Sequence, residues 1–128
     1  MKKTSLSMKN TKKDTMFRIV IPCLPETDNH TYLQRGKIRF MTKEARQWKE
    51  MTQILCKQEW KKEPMKGELV ADVTFYLKRE RDVHGSSKNL MDSMQGIIYD
   101  DDKQFTHVTF HKIMDKQNPR VEIRIEEI

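Results

Sequence analysis

Between Arg81 and Phe105 the chain gathers most of its candidate chemistry, in the run RDVHGSSKNLMDSMQGIIYDDDKQF. Asp82 stands in a polar stretch ahead of a helical pattern, and Asp101 and Asp102 stand just ahead of a strand-like run. Carboxylates brought to one point repel each other, and a hard, oxygen-seeking cation such as Mg²⁺ relieves that crowding. Such a centre suits phosphodiester hydrolysis. It can hold a phosphate oxygen, acidify a bound water and offset charge on the leaving 3′ oxygen. Lys88, six residues beyond Asp82, is spaced to neutralise charge developing on the phosphate. Arg81 and Lys103 flank the acids and can hold neighbouring phosphates.

Each of these residues also has a plainer reading. A run such as Asp100-Asp101-Asp102 is commonly a solvated loop, and Asp82 can simply shape a turn. His84 before Gly85 fits a turn, and Lys88 with Asp92 has the i,i+4 spacing of an exposed helix pair. Composition and spacing alone leave both readings open.

For the acids to meet, the surrounding elements must carry them there. Leu69, Ala71, Val73, Phe75 and Leu77 alternate with polar or mixed residues, which predicts a strand over Glu68–Lys78 covered on one face. A helix follows from about Ser86 to Gln95, with Leu90, Met91 and Met94 as its buried stripe and Gly96 as its left-handed stop. Gln104–Met114 reads as a second strand. If it pairs beside the first, the two acidic loops are expected to meet at one edge of the sheet. Upstream, MFRIVI reads as a strand ended by Pro22, and Lys37–Met41 as a short returning strand. Thr42 is spaced to cap a helix with the stripe Ala45, Trp48, Met51, Thr52 and Leu55, running to about Lys62. Arg120–Ile125 alternates again, and Asn118-Pro119 predicts a hairpin before it. The expected architecture is α+β: a small mixed sheet with two helices packed on it.

The chain of 128 residues fits one domain, expected over residues 16–128, after a disordered basic tail over residues 1–15. Lys and Arg number 25 against 19 Asp and Glu, a net +6 that suits a polyanion such as DNA as well as plain solubility. The two cysteines, Cys23 and Cys56, form neither a disulfide framework nor zinc-ligand spacing, and no small-molecule cofactor motif is present. No signal-like or membrane-spanning run occurs, so a cytoplasmic setting without membrane partners is expected.

The segment Arg81–Phe105 resembles the signature of the RusA family of Holliday junction resolvases. That family carries an Asp-x-Asp-Asn pair, a lysine four residues after the second Asp, a helix Asp, and an Asp-Asp-x-Gln element before a strand. Asp82 matches the first acid, Lys88 the lysine, Asp92 the helix acid, and Asp101-Asp102-Lys103-Gln104 the last element, with Asp102 at the essential acid. IVIPCLPETDNHTY and GKIRFMTKEARQWK resemble the family's opening loop and its entry to the first helix, so the likeness runs from about Phe17 to Ile125. It implies catalytic Asp82, His84, Lys88 and Asp102, metal held by Asp82, His84, Asp101 and Asp102, and Asp92 in support. It further implies a Mg²⁺-dependent homodimer, with Mn²⁺ possible, that nicks four-way DNA junctions symmetrically, in a setting of phage or prophage recombination. One departure stands out. His84 and Gly85 replace the second Asp and its Asn. Imidazole is a poor Mg²⁺ ligand and a fair one for Mn²⁺. His84 is therefore placed at the site as ligand or proton carrier. The alternatives are a DNA-binding module that has lost turnover and a cytosolic domain whose acidic loop is only surface.

Overall fold

The computed structural model describes residues 15–128; the expected tail, save Thr15, lies outside them. Strands β1 (Met16–Ile21), β4 (Leu69–Leu77), β5 (Phe105–Met114) and β6 (Arg120–Glu127) form one mixed sheet in the order β1-β6-β4-β5. β6 is antiparallel to both β1 and β4, whereas β4 and β5 are parallel. Helices α2 (Lys43–Glu59) and α3 (His84–Met94) pack against the sheet, and Trp60, Met65, Val83, Ile98 and Tyr99 from the connections complete the core. The expected α+β architecture is the one observed.

Local rules account for the main elements. β4 alternates buried and half-buried residues along its whole length, so one face is core. In α2, Thr42 Oγ1 accepts the Ala45 amide at 3.2 Å, the expected N-cap. Its buried residues Ala45, Trp48, Thr52 and Cys56 recur at helical spacing. Trp60 closes the helix and meets Phe17 edge-to-face at 6.1 Å. Gly96, at φ 86°, turns the chain after α3, a conformation that a side chain disfavours.

Three expectations need correction. The stretch after Pro25, where only Lys37–Met41 was expected as a strand, also holds a single-turn helix α1 (Asp28–Thr31) and a strand β2 (Tyr32–Arg35) paired with β3 (Ile38–Met41). α3 starts at His84, two residues earlier than expected. β5 and β6 are not a hairpin, because β6 lies between β1 and β4. Burial explains this order. Val121, Ile123 and Ile125 are buried, while β5 is exposed or half-exposed throughout, so β6 takes the sheet centre and β5 the edge. Among the described residues, no helix is long and apolar enough to cross a membrane.

The β5–β6 connection is held by Asp115. Its Oδ1 accepts the Gln117 and Asn118 amides at 3.2 Å, and its Oδ2 pairs with Arg120 at 2.9 Å. The Arg120 guanidinium holds the Asp115 carboxyl below the usual carboxylate range. A depressed folded-state pKa gives stability that is present above the unfolded value and lost as pH falls through the folded one. Asp115→Asn is therefore expected to lower the urea midpoint at pH 7. The deficit should shrink with acidification and vanish once Asp115 itself is protonated.

Candidate active site

The parallel pairing of β4 and β5 decides where the acids go. Leu69 aligns with Phe105 and Leu77 with Met114. Asp82 therefore follows the far end of β4, whereas Asp102 precedes the near end of β5. These are opposite ends of the strand pair, joined by α3. The expectation that the two loops meet at one edge took adjacency without strand direction, and the parallel pairing starts them from opposite ends. The connector after β4 folds back toward β5, where Lys112 donates to Glu80 and, at 3.2 Å, to the Arg81 carbonyl.

α3 links the two ends. His84, Lys88 and Asp92 lie four residues apart on one helix face, spanning about 12 Å along the axis. Asp82 opens the row: its Oδ1 accepts the His84 amide at 3.1 Å. Asp102 closes it. Lys88, Asp92 and Asp102 line one cleft of about 350 Å³, with Ser87 as a further polar group and Met91, Phe105, Val108 and Phe110 as its apolar wall. Despite their spacing, Lys88 and Asp92 form no ion pair, and among the described residues Lys88 has no anionic partner.

The three consecutive acids do different work. Asp100 pairs with Lys66 at 2.9 Å. Asp101 caps the 3-10 turn Asp102–Gln104, accepting the Lys103 amide at 3.0 Å. Asp102 is left facing the cleft, with its carboxylate within hydrogen-bonding reach of Asp101. The Lys103 amide and the contact with Asp102 hold Asp101 below the usual range. The same contact, with desolvation and the charges of Asp101 and Asp92, pushes Asp102 above it. That is like-charge crowding, now placed at the Asp92–Asp102 end.

Gln104 and Tyr99 fix this end, and sequence reading gave neither a role. Gln104 Oε1 accepts the Asp100 and Asp101 amides at 2.8 Å, and its Nε2 donates to the Met65 and Gly67 carbonyls at 2.9 Å. Both donors and both lone-pair directions of the amide are thereby used. Tyr99 is fully buried, donates to the Met91 carbonyl at 2.5 Å and meets Phe105 edge-to-face at 4.8 Å. Gln104→Ala is expected to cost about 1–3 kcal/mol in urea unfolding, the range for abandoned part-buried partners. It should slow any reaction of the cleft more than tenfold, because the acidic turn is no longer held.

The other expected residues fall elsewhere. Asp82 and His84 do not line the cleft with Asp102, and no three His, Cys, Asp or Glu side chains among the described residues are placed to hold a metal ion. The set Asp82, His84, Asp101 and Asp102 is thus not assembled as one cage. Arg81, expected at a flanking phosphate, turns inward and donates to the Pro25 carbonyl at 2.6 Å and to Ser86 Oγ at 2.8 Å. Lys103 is exposed beside the acidic turn. A larger cleft of about 660 Å³ lies toward the β1 edge, but there Arg124 is paired with Asp72 at 2.5 Å and Glu126 at 2.9 Å. Two of its lining charges, Arg124 and Asp72, are thus spent on each other.

A basic α+β domain that sets an ammonium in one cleft with crowded carboxylates has the make-up of a nuclease. The sequence model of a family described as endodeoxyribonuclease RusA matches residues 22–126. The chain belongs to that family. No curated protein matches it.

Proposed function

We propose that residues 16–128 form a single domain that resolves four-way DNA junctions by paired, symmetric nicks, acting as a cytoplasmic homodimer in phage or prophage recombination. A twofold protein suits a twofold junction, since each subunit then offers one cleft to one of two equivalent strands. The observation that carries this reading is the Lys88 ammonium, without an anionic partner among the described residues, in one cleft with Asp92 and Asp102.

The donor chemistry at that end fits a hard divalent ion. Mg²⁺ is commonly held by one or two carboxylates with water and substrate phosphate filling the remaining positions, so a three-residue cage is not required. Asp102, with Asp92 or Asp101, would hold it. When bound, the ion supplies a Lewis acid for a phosphate oxygen and a more acidic water. Lys88 neutralises charge that builds on the phosphate. Asp82 and His84, toward the other end of the same helix face, are assigned to the opposite side of the phosphodiester, where the His84 imidazole takes the proton-transfer role. Lys103 holds an adjoining phosphate. Because DNA completes the coordination, Mn²⁺ is expected to bind the protein alone weakly and to bind more tightly once a junction is added, as read by titration calorimetry.

The second reading is a junction-binding module without turnover, favoured by His84 in place of an acid and by Asp82 standing outside the lining of the cleft that holds Asp102. An immobile four-way junction, labelled on each strand in turn and incubated with Mg²⁺ or Mn²⁺, separates the two. Paired nicks in opposed strands support the nuclease. A junction-specific gel shift with no product under either ion supports the module. Equal affinity for junction and linear duplex sinks both.

A further inference from the structure

The segment Tyr32–Met41, YLQRGKIRFM, carries Arg35, Lys37 and Arg39 and no carboxylate. Among the described residues its strands β2 and β3 pair only with each other, forming a two-stranded sheet outside the main one. Leu33 lies opposite Phe40, and Arg35 opposite Ile38, so these four share one face. On that face Leu33 is 51% exposed, Ile38 67% and Phe40 36%. On the other face the Arg39 guanidinium lies 4.2 Å from the centre of the Tyr32 ring. Among the described residues none of the three cations has an ion-pair partner.

The arm is firmly rooted. At its base the Thr42 amide donates to the Thr31 carbonyl at 2.8 Å and Thr42 Oγ1 donates to the His30 carbonyl at 2.6 Å. The preceding segment is tied to the start of α3 by Arg81 to Pro25 and by Ser86 Oγ to the Glu26 carbonyl at 3.0 Å. At the tip Gly36, at φ 58°, makes the turn, and Gln34 Nε2 donates to its carbonyl at 3.0 Å. The arm thus starts beside the end of α3 that carries Asp82 and His84, and its strands reach about 13 Å beyond its base.

An isolated hairpin that exposes three apolar side chains gains little stability of its own in water. We propose that it is a DNA-binding arm, with Arg35, Lys37 and Arg39 on backbone phosphates and Leu33, Ile38 and Phe40 against an unstacked base step. Charge selects this occupant: three unpaired cations and no acid in ten residues suit a polyanion. Shape agrees, since a two-stranded ribbon fits a major groove and apolar side chains can wedge between bases that have come apart. The inference rests on the junction-nuclease reading and adds a contact surface to it.

The test compares the full chain with an Arg35→Gln, Lys37→Gln, Arg39→Gln variant, both carrying Asp102→Asn so that nothing is cut. Binding of a fluorescent four-way junction is followed by anisotropy across a salt series. The variant should bind at least tenfold more weakly near physiological salt, and its salt slope should flatten by about 2–3, the release expected from three lost phosphate contacts. Arg35→Lys, Lys37→Arg, Arg39→Lys should restore most of the affinity. Equal affinity and slope in the two proteins overturn the arm while leaving the nuclease reading standing. A parent chain that binds no DNA overturns both. If Leu33→Ser, Ile38→Ser, Phe40→Ser halves the mass in sedimentation while the neutralised arm still binds DNA normally, the occupant is a second copy of the chain and the DNA proposal fails.

Discussion

Asp102→Asn is expected to give a protein that still binds a four-way junction and cuts it at least 1000-fold more slowly. The estimate of about 10³ follows from removing a charge that organises the reaction centre, where single such groups are worth about 10²–10³ and a lost cation adds to the deficit. The substitution keeps the size of the side chain and its ability to hydrogen-bond Asp101, so the acidic turn stays closed by Gln104. Junction affinity should hold or rise, because one anion facing the phosphates is gone. Stability should move the same way. Asp102 holds its proton more tightly in the folded chain than an ordinary carboxylate does. The stabilisation linked to that proton is present at low pH and lost as pH rises through the raised value. At neutral pH wild type thus carries the repulsion from Asp101 and Asp92, and the amide does not. A variant that loses cutting and also unfolds earlier would mark Asp102 as structural. Single-turnover cleavage, gel shift and urea unfolding of the same preparation separate these outcomes.

Local patterns made much of this architecture legible. The strand β4 and the helix α2 follow from alternation and from a stripe of apolar residues, signals that need no knowledge of distant neighbours. The strand order did not follow. A short Asn-Pro turn argued for pairing β5 with β6, yet the better-buried alternation of β6 places it between β1 and β4. The arm formed by β2 and β3 was half seen, because a ribbon with solvent on both faces lacks a core-directed pattern. Within the site, Lys88 and Asp102 stood out by residue type and order, and the structure puts them in one cleft. Asp92 was read as a supporting residue because the relation between the end of α3 and the start of β5 depends on strand direction. Arg81 was read as a phosphate contact because its inward hydrogen bonds to Pro25 and Ser86 reach across 56 and 5 residues respectively. The Gln104 clamp was present in the motif, but its partners Met65 and Gly67 lie 39 and 37 residues away.

Lys88→Gln should lower the cutting rate at saturating junction by about 10²–10³-fold while changing junction affinity less than about threefold, the pattern of a group whose charge matters in the transition state more than in the ground state. The ammonium has no anionic partner among the described residues, so little of its charge is spent within the protein before substrate arrives. Were Lys88 only the i,i+4 neighbour of Asp92, its loss would cost a few tenths of a kcal/mol of stability and leave the rate alone. Lys88→Arg sharpens the comparison. The guanidinium keeps the charge but spreads it over a wider planar fork, so partial recovery is expected rather than wild-type rate. Lys103→Gln provides the contrast: this exposed side chain beside the turn should weaken binding and its salt dependence slightly, with the rate at saturation unchanged. A Lys88→Gln protein that cuts at the wild-type rate would leave Asp92 and Asp102 as an acidic edge without a cationic partner. The cleft between α3 and β5 would then no longer be a credible place for the scissile phosphate.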